Sequence, residues 1–155
     1  MLLHELISVA AARSPHAPAL VSGRHARSYE ALALEIAEFA WGVLGLNVSR
    51  GDRVGIYLEK RPETVVASFG APAAGAVFVP LNPLLKPLQV AYIIRDCSVR
   101  VLVTSFDRVK LLEPVLSSCP DLQHVVVVGE TGEFPTSPEI AFHRWHQLLQ
   151  APARR

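Results

Sequence analysis

The stretch Ala-Gly-Ala-Val-Phe-Val-Pro-Leu-Asn-Pro, residues 74–83, contains a helix end, a turn and a short apolar strand in succession. Gly75 allows a helix end to approach a sheet closely because glycine has no Cβ. Pro80 and Pro83 cannot donate a backbone hydrogen bond, so the strand must end there. The stretch therefore predicts a helix that ends at Gly75 and a strand over residues 76–80.

The same alternation of helices and strands continues on both sides of this stretch. Pro62 and Pro87 stand where the first residues of helices belong, and Ser105 is a candidate cap for a third helix. Valine-rich runs between these helices predict strands over residues 53–58, 76–80, 99–104 and 124–128. Strands separated by helices of this length indicate βαβ units. We therefore predict an α/β fold with a mostly parallel sheet and helices on both faces.

The length of 155 residues fits a single α/β domain in three segments. Residues 1–50 predict a helix, a hairpin that turns at Gly23-Arg24, and a long helix from the cap Ser28 to Gly45. Residues 51–128 hold the βαβ units. Residues 129–155 predict a polar loop and a terminal amphipathic helix, whose apolar side chains are Phe142, Trp145, Leu148 and Leu149.

Composition excludes several classes of protein. Fifteen basic and fourteen acidic residues give a net charge of +1, which offers no electrostatic basis for binding nucleic acid. The 22 uncharged residues 64–85 could span a bilayer, but their glycines and prolines favour a helix, a turn and a strand instead of a membrane span. The first residues lack the basic region of a secretory signal, so we expect a cytoplasmic protein.

The residues alone predict no catalytic, cofactor-binding or metal-binding side chain. Gly70 and Gly75 have phosphate-loop spacing, but Ala76 stands where such a loop has its lysine. His143 and His146 lie three residues apart on the predicted terminal helix, without a third ligand nearby. Cys97 and Cys119 are expected to be buried and unreactive.

Three segments together resemble the AMP-forming acyl-CoA synthetases and their adenylating relatives. Ser-Tyr-Glu-Ala-Leu (28–32) is similar to the opening of that family's first long helix, and Gly-Asp-Arg-Val (51–54) is similar to the turn and strand that follow it. Residues 74–83 resemble the family's A-G-A-x-x-V-P-L-[ND]-P element. The residues around 82–87 and 95–97 are most similar to a bacterial branch found with exosortase-type sorting systems.

The resemblance implies an enzyme that activates a carboxylic acid with ATP and magnesium and then transfers the acyl group to coenzyme A, with a place in fatty acid metabolism. The family's phosphate loop and catalytic lysine have no matching positions here, so no cofactor is assigned to this chain. It resembles a truncated amino-terminal subdomain that is inactive alone. The alternatives are a non-catalytic binding or assembly module and a small nucleotide-binding enzyme of flavodoxin-like shape.

Association is expected from the high apolar content. Hydrophobic residues make up 50% of the chain, and the near-neutral net charge gives little repulsion between copies. An uncovered sheet edge or apolar face would then contact the rest of a ligase or a second copy. We expect the isolated chain to self-associate.

Overall fold

A computed structural model describes residues 1–129 and 132–151. Its main element is a sheet of five parallel strands in the order β4-β3-β5-β6-β7, beside a two-stranded antiparallel hairpin, β1-β2. The strands are β1 (Pro18–Ser22), β2 (His25–Ser28), β3 (Arg53–Tyr57), β4 (Val77–Pro80), β5 (Val99–Ser105), β6 (His124–Val128) and β7 (Ala141–Arg144). The helices are α1 (Glu5–Arg13), α2 (Tyr29–Gly45), α3 (Pro62–Ala73), α4 (Pro87–Asp96), α5 (Phe106–Leu116) and α6 (Trp145–Leu149).

The predicted α/β class and its parallel sheet are confirmed. Strands β3 to β6 occupy the four predicted positions to within one or two residues. The predicted hairpin and the helix starts at Pro62 and Pro87 are also present. Residues 64–85 form most of α3, a turn and β4, as the prolines and glycines predicted.

Two apolar layers cover the sheet, one on each face. On the first face α2, α3 and α6 pack on side chains such as Val101, Val103 and Val126. On the second face α4 and α5 pack on the intervening side chains, including Leu102 and Val125. Adjacent residues of β5 thus enter opposite layers, which is why the strand is a continuous apolar run instead of an alternating one.

Helix α2 begins at the cap that the sequence predicted. The Ser28 hydroxyl accepts a hydrogen bond from the Ala31 amide at 3.2 Å, and Glu30 lies in the first turn, where a carboxylate is favoured by the helix dipole. Ser105 occupies the corresponding position before α5, but its side chain makes no capping bond. The helix α2 ends at Gly45, also as predicted.

The terminal segment differs from the prediction of one helix that includes Phe142. Residues 141–144 form the edge strand β7, parallel to β6, and the helix begins only at Trp145. Phe142 stacks on Phe134 of the preceding loop at 5.6 Å between ring centroids, and the Arg144 guanidinium donates to the Gly132 carbonyl. These contacts with distant residues fix the extended backbone, and local helical spacing could not reveal them.

Helix α6 packs on α2 through one close contact. A Cβ on Gly42 would lie 2.5 Å from the Leu148 carbonyl oxygen, so only glycine permits this approach. The Trp145 ring lies against the Phe39 ring, with 5.1 Å between centroids. This contact attaches the end of the chain to the first apolar layer.

Candidate functional site

The carboxyl ends of the parallel strands are where ligands bind in open α/β sheets, and here they are joined to one another by hydrogen bonds. Thr104, which is fully buried at the end of β5, donates its hydroxyl to the Tyr57 carbonyl at 2.8 Å. The Tyr57 hydroxyl donates to the Leu85 carbonyl at 2.7 Å. These bonds fix the connection between β4 and α4 against the end of β3.

Arg108 of α5 is the central cation of this edge. Its guanidinium forms an ion pair with Glu59, lies 5.1 Å from the centroid of the Tyr57 ring and donates to the Pro83 carbonyl. Glu59 and Arg108 are 49 residues apart in sequence, and the parallel order of β3 and β5 brings them together. The guanidinium therefore has internal partners on both sides.

Glu59 and Glu63, two carboxylates near the carboxyl edge of the sheet, are both paired with Arg61. Arg61 contacts Glu59 at 3.3 Å and Glu63 at 2.8 Å. Burial acts to raise the pKa of Glu63, but the hydrogen bond with Arg61, a backbone hydrogen bond and the charges of Arg61 and Arg27 together lower that pKa below its usual value. The pKa of Glu59 is likewise lowered despite burial, by a backbone hydrogen bond and by Arg108 and Arg61. Both groups are thus held as carboxylates, which suits ion pairing better than proton transfer near neutral pH.

A histidine pair lies between β6 and β7, and the sequence did not predict it. His124 Nδ1 and His143 Nε2 are 3.0 Å apart, and both side chains are partly buried. Burial lowers the pKa of each imidazole, and His143 and Arg100 lower that of His124 further. The predicted placement of His143 and His146 on one terminal helix is wrong, because His143 belongs to β7 and His146 to α6.

The described part of the chain contains no grouped set of side chains for a metal ion. Within residues 1–129 and 132–151, no three His, Cys, Asp or Glu side chains are grouped to hold a metal. The carboxylates that could bind magnesium, Glu59 and Glu63, already bind guanidinium groups. Cys119 is buried and burial raises the pKa of its thiol, which disfavours the reactive thiolate.

Helices of the described part of the chain are all too short or too polar to cross a membrane.

A family model described as "AMP-binding enzyme" matches residues 7–152. Because the match covers nearly the whole chain and the fold agrees with it, this protein belongs to the AMP-binding enzyme family. The resemblance inferred from the three sequence segments is thereby confirmed.

Curated relatives include both CoA ligases and peptide synthetases. The chain is 32% identical over 112 residues to a 3-hydroxybenzoate–CoA ligase of Aromatoleum sp. (strain CIB), covering 72% of this chain and 21% of the relative. It is 33% identical over 126 residues to a crotonobetaine/carnitine–CoA ligase of Salmonella paratyphi B, covering 80% and 24%. It is 32% identical over 118 residues to the N-(5-amino-5-carboxypentanoyl)-L-cysteinyl-D-valine synthase of Streptomyces clavuligerus, covering 75% and 15%.

Solved structures agree with these relatives. The anthranilate CoA ligase AuaEII, in complex with anthranoyl-AMP, matches 97% of this chain with a TM-score of 0.85 and 26% identity. Coronafacic acid ligase from Pectobacterium brasiliense matches 99% with a TM-score of 0.88 and 25% identity. The chain covers 28% and 30% of these two structures, so it spans less than a third of the length of the ligases that it resembles.

Proposed function

We propose that this chain is the amino-terminal framework of an AMP-forming acyl-CoA ligase and does not catalyse adenylation by itself. The complete enzyme would use ATP and magnesium to convert a carboxylic acid into an acyl-adenylate, and then coenzyme A to form the thioester. Residues 1–155 would be one α/β domain of that enzyme, in a bacterial cytoplasm and in fatty acid metabolism. Within the family, we assign the chain to the exosortase-associated branch, because residues 82–87 are similar to that branch.

One observation carries this proposal: charged side chains at the carboxyl edge are paired with one another. Arg108, Arg61, Glu59 and Glu63 bind one another, and Tyr57 binds a backbone carbonyl. Adenylyl transfer requires cations and amides that are free to stabilise charge on phosphate oxygens. Groups already neutralised by internal partners do not supply that stabilisation.

The test is ATP–pyrophosphate exchange by the purified chain with a panel of aromatic, short-chain and long-chain carboxylic acids. A complete 3-hydroxybenzoate–CoA ligase, assayed in parallel with its own acid, provides the positive control. We expect no exchange above the enzyme-free blank from the 155-residue chain. Acid-dependent exchange would refute the assignment as a framework.

Binding assays distinguish an inactive framework from the alternative, a stand-alone binding module. Isothermal titration with ATP and with coenzyme A would give no saturable heat if the chain is only a framework. Saturable binding without exchange would instead favour a binding module. We also propose that the isolated chain self-associates and does not bind nucleic acid, because its net charge is only +1.

A further inference from the structure

Two histidines join the last two strands of the parallel sheet. His124 of β6 and His143 of β7 lie on the face that α2 and α6 cover, because their neighbours Val125 and Phe142 enter the layer on the opposite face. His124 Nδ1 and His143 Nε2 are 3.0 Å apart, and both rings are partly buried. At this distance one ring donates an N–H to the lone pair of the other. The contact therefore holds one proton between the two nitrogens.

This contact tolerates one additional proton but not two. The first added proton goes to the outer nitrogen of the donor ring and leaves the hydrogen bond intact. The second must go to the inner nitrogen of the acceptor ring, because that ring already carries a hydrogen on its outer nitrogen. Two N–H groups and two positive charges would then face each other across 3.0 Å. The doubly protonated pair must therefore separate.

The surroundings of the pair disfavour protonation. Burial lowers the pKa of both imidazoles, and His143 and Arg100 of β5 lower that of His124 further. Arg100 is itself 3.5 Å from the Asp52 carboxylate. The Leu46 carbonyl, just after α2, acts to raise the pKa of His124, whereas α6 contributes apolar side chains to this layer. Among the described residues, no carboxylate acts on the pKa of either ring.

The part of the chain that this contact attaches is the terminal segment, residues 141–149, which consists of β7 and α6. Strand β7 is at the edge of the sheet and pairs with β6 alone, whereas β3, β5 and β6 each have a neighbour on both sides. Helix α6 adds two buried side chains, Trp145 and Leu148, to the first apolar layer, where α2 adds five. Segments with few buried side chains open at a lower free energy than the whole domain.

We propose that the His124–His143 pair is an acid-sensitive contact that releases the terminal segment while the strands β3 to β6 and their helices stay folded. Once the segment is released, both rings are in water and bind protons near the ordinary histidine pKa of 6.5. Release then takes up as many as two protons. The equilibrium constant for release should rise by up to about tenfold per pH unit for each proton, or about 100-fold for two. Above pH 7.5 neither state takes up protons, so the segment stays bound to the sheet.

The test compares a local with a global signal as the pH of the 155-residue chain is lowered from 7.5 to about 5. In a Trp41→Phe background, the fluorescence of Trp145 reports on the terminal segment, because this side chain is only 9% exposed. Far-ultraviolet circular dichroism reports on the helices of the whole domain. We expect the Trp145 emission to shift to longer wavelength at a pH at which the circular dichroism is unchanged. Hydrogen exchange should show lost protection in residues 141–149 at that pH, with protection retained in β3 and β5.

Three variants identify the groups responsible. His143→Gln keeps an amide that can donate to His124 but cannot be protonated, so the slope of release should fall to at most about tenfold per pH unit. His146→Gln is the matched control, because it removes an exposed imidazole from the same segment outside the pair. We expect it to leave the transition unchanged. Arg100→Gln removes the neighbouring positive charge and should move the release to lower pH.

The outcomes separate local release from other effects of acid. Unchanged Trp145 emission down to about pH 5, or a shift that coincides with loss of the circular dichroism signal, overturns the proposal. A local transition that both His143→Gln and Arg100→Gln leave unaltered, or that His146→Gln weakens as much as His143→Gln, overturns the pair as its cause. If His143→Gln does not fold, Arg100→Gln alone decides, because its shift to lower pH is specific to the charge beside His124. None of these results depends on whether the chain supports adenylation, which the exchange assay measures separately.

Discussion

Replacing Gly42 with alanine tests how the terminal helix α6 is attached to the first apolar layer. The new Cβ would lie 2.5 Å from the Leu148 carbonyl oxygen and 2.6 Å from Leu148 Cγ. A backbone carbonyl cannot rotate away, so α6 must move as a unit. Overpacking of this kind costs about 1–3 kcal/mol, whereas the helix propensity of alanine returns about 1 kcal/mol.

We therefore expect Gly42→Ala to lower the free energy of unfolding by up to about 2 kcal/mol. Gly45→Ala in the same helix is the matched control, because no neighbouring atom lies within 4 Å of the place that its new Cβ would occupy. It gains helix propensity without a clash and should stabilise the fold by up to about 1 kcal/mol.

Urea unfolding measured by circular dichroism gives both free energies, and Trp145 fluorescence in a Trp41→Phe background reports on α6 itself. In Gly42→Ala the Trp145 emission should shift to longer wavelength as its contact with Phe39 loosens. If Gly42→Ala were as stable as Gly45→Ala, with unchanged emission, the close packing of α6 on α2 would be refuted.

Two further predictions concern the polar contacts. Burial lowers the pKa of His124 and His143, so below pH 6.5, the ordinary histidine value, the unfolded chain binds more protons than the folded chain. The free energy of unfolding should then fall as the pH decreases from 6.5, with little change above pH 7.5. His143→Gln should reduce this pH dependence, which urea unfolding at several pH values measures. An unchanged dependence of the unfolding free energy on pH would count against the buried pair. Tyr57→Phe removes the hydrogen bond to the Leu85 carbonyl and should cost about 1 kcal/mol in thermal unfolding, whereas an unaltered midpoint would contradict this contact.

Most of the sheet could be predicted because its strands carry strong local signals. The four valines of 125–128 and the apolar run of β5 are strong strand signals, and Pro62 and Pro87 mark the starts of α3 and α4. Strand β7 carries no such signal: Ala-Phe-His-Arg has no β-branched residue and runs directly into α6. Its pairing with β6 depends on contacts that local periodicity does not encode.

The polar sites could not be predicted for a related reason. His124 and His143 are 19 residues apart, and only the β6–β7 register brings their rings together. Arg108 and Glu59 meet because β5 is adjacent to β3, although 49 residues separate them in sequence. The family could still be inferred, because its motifs mark local turns and helix ends instead of long-range contacts.

ATP–pyrophosphate exchange by the purified 155-residue chain tests the central claim most directly. The account predicts no acid-dependent exchange, because Arg108, Arg61, Glu59 and Glu63 are engaged with one another at the carboxyl edge. A folded sample, verified by cooperative unfolding, must give only the rate of the enzyme-free blank while a complete CoA ligase is active alongside it. Exchange that requires both the chain and a carboxylic acid would contradict the account.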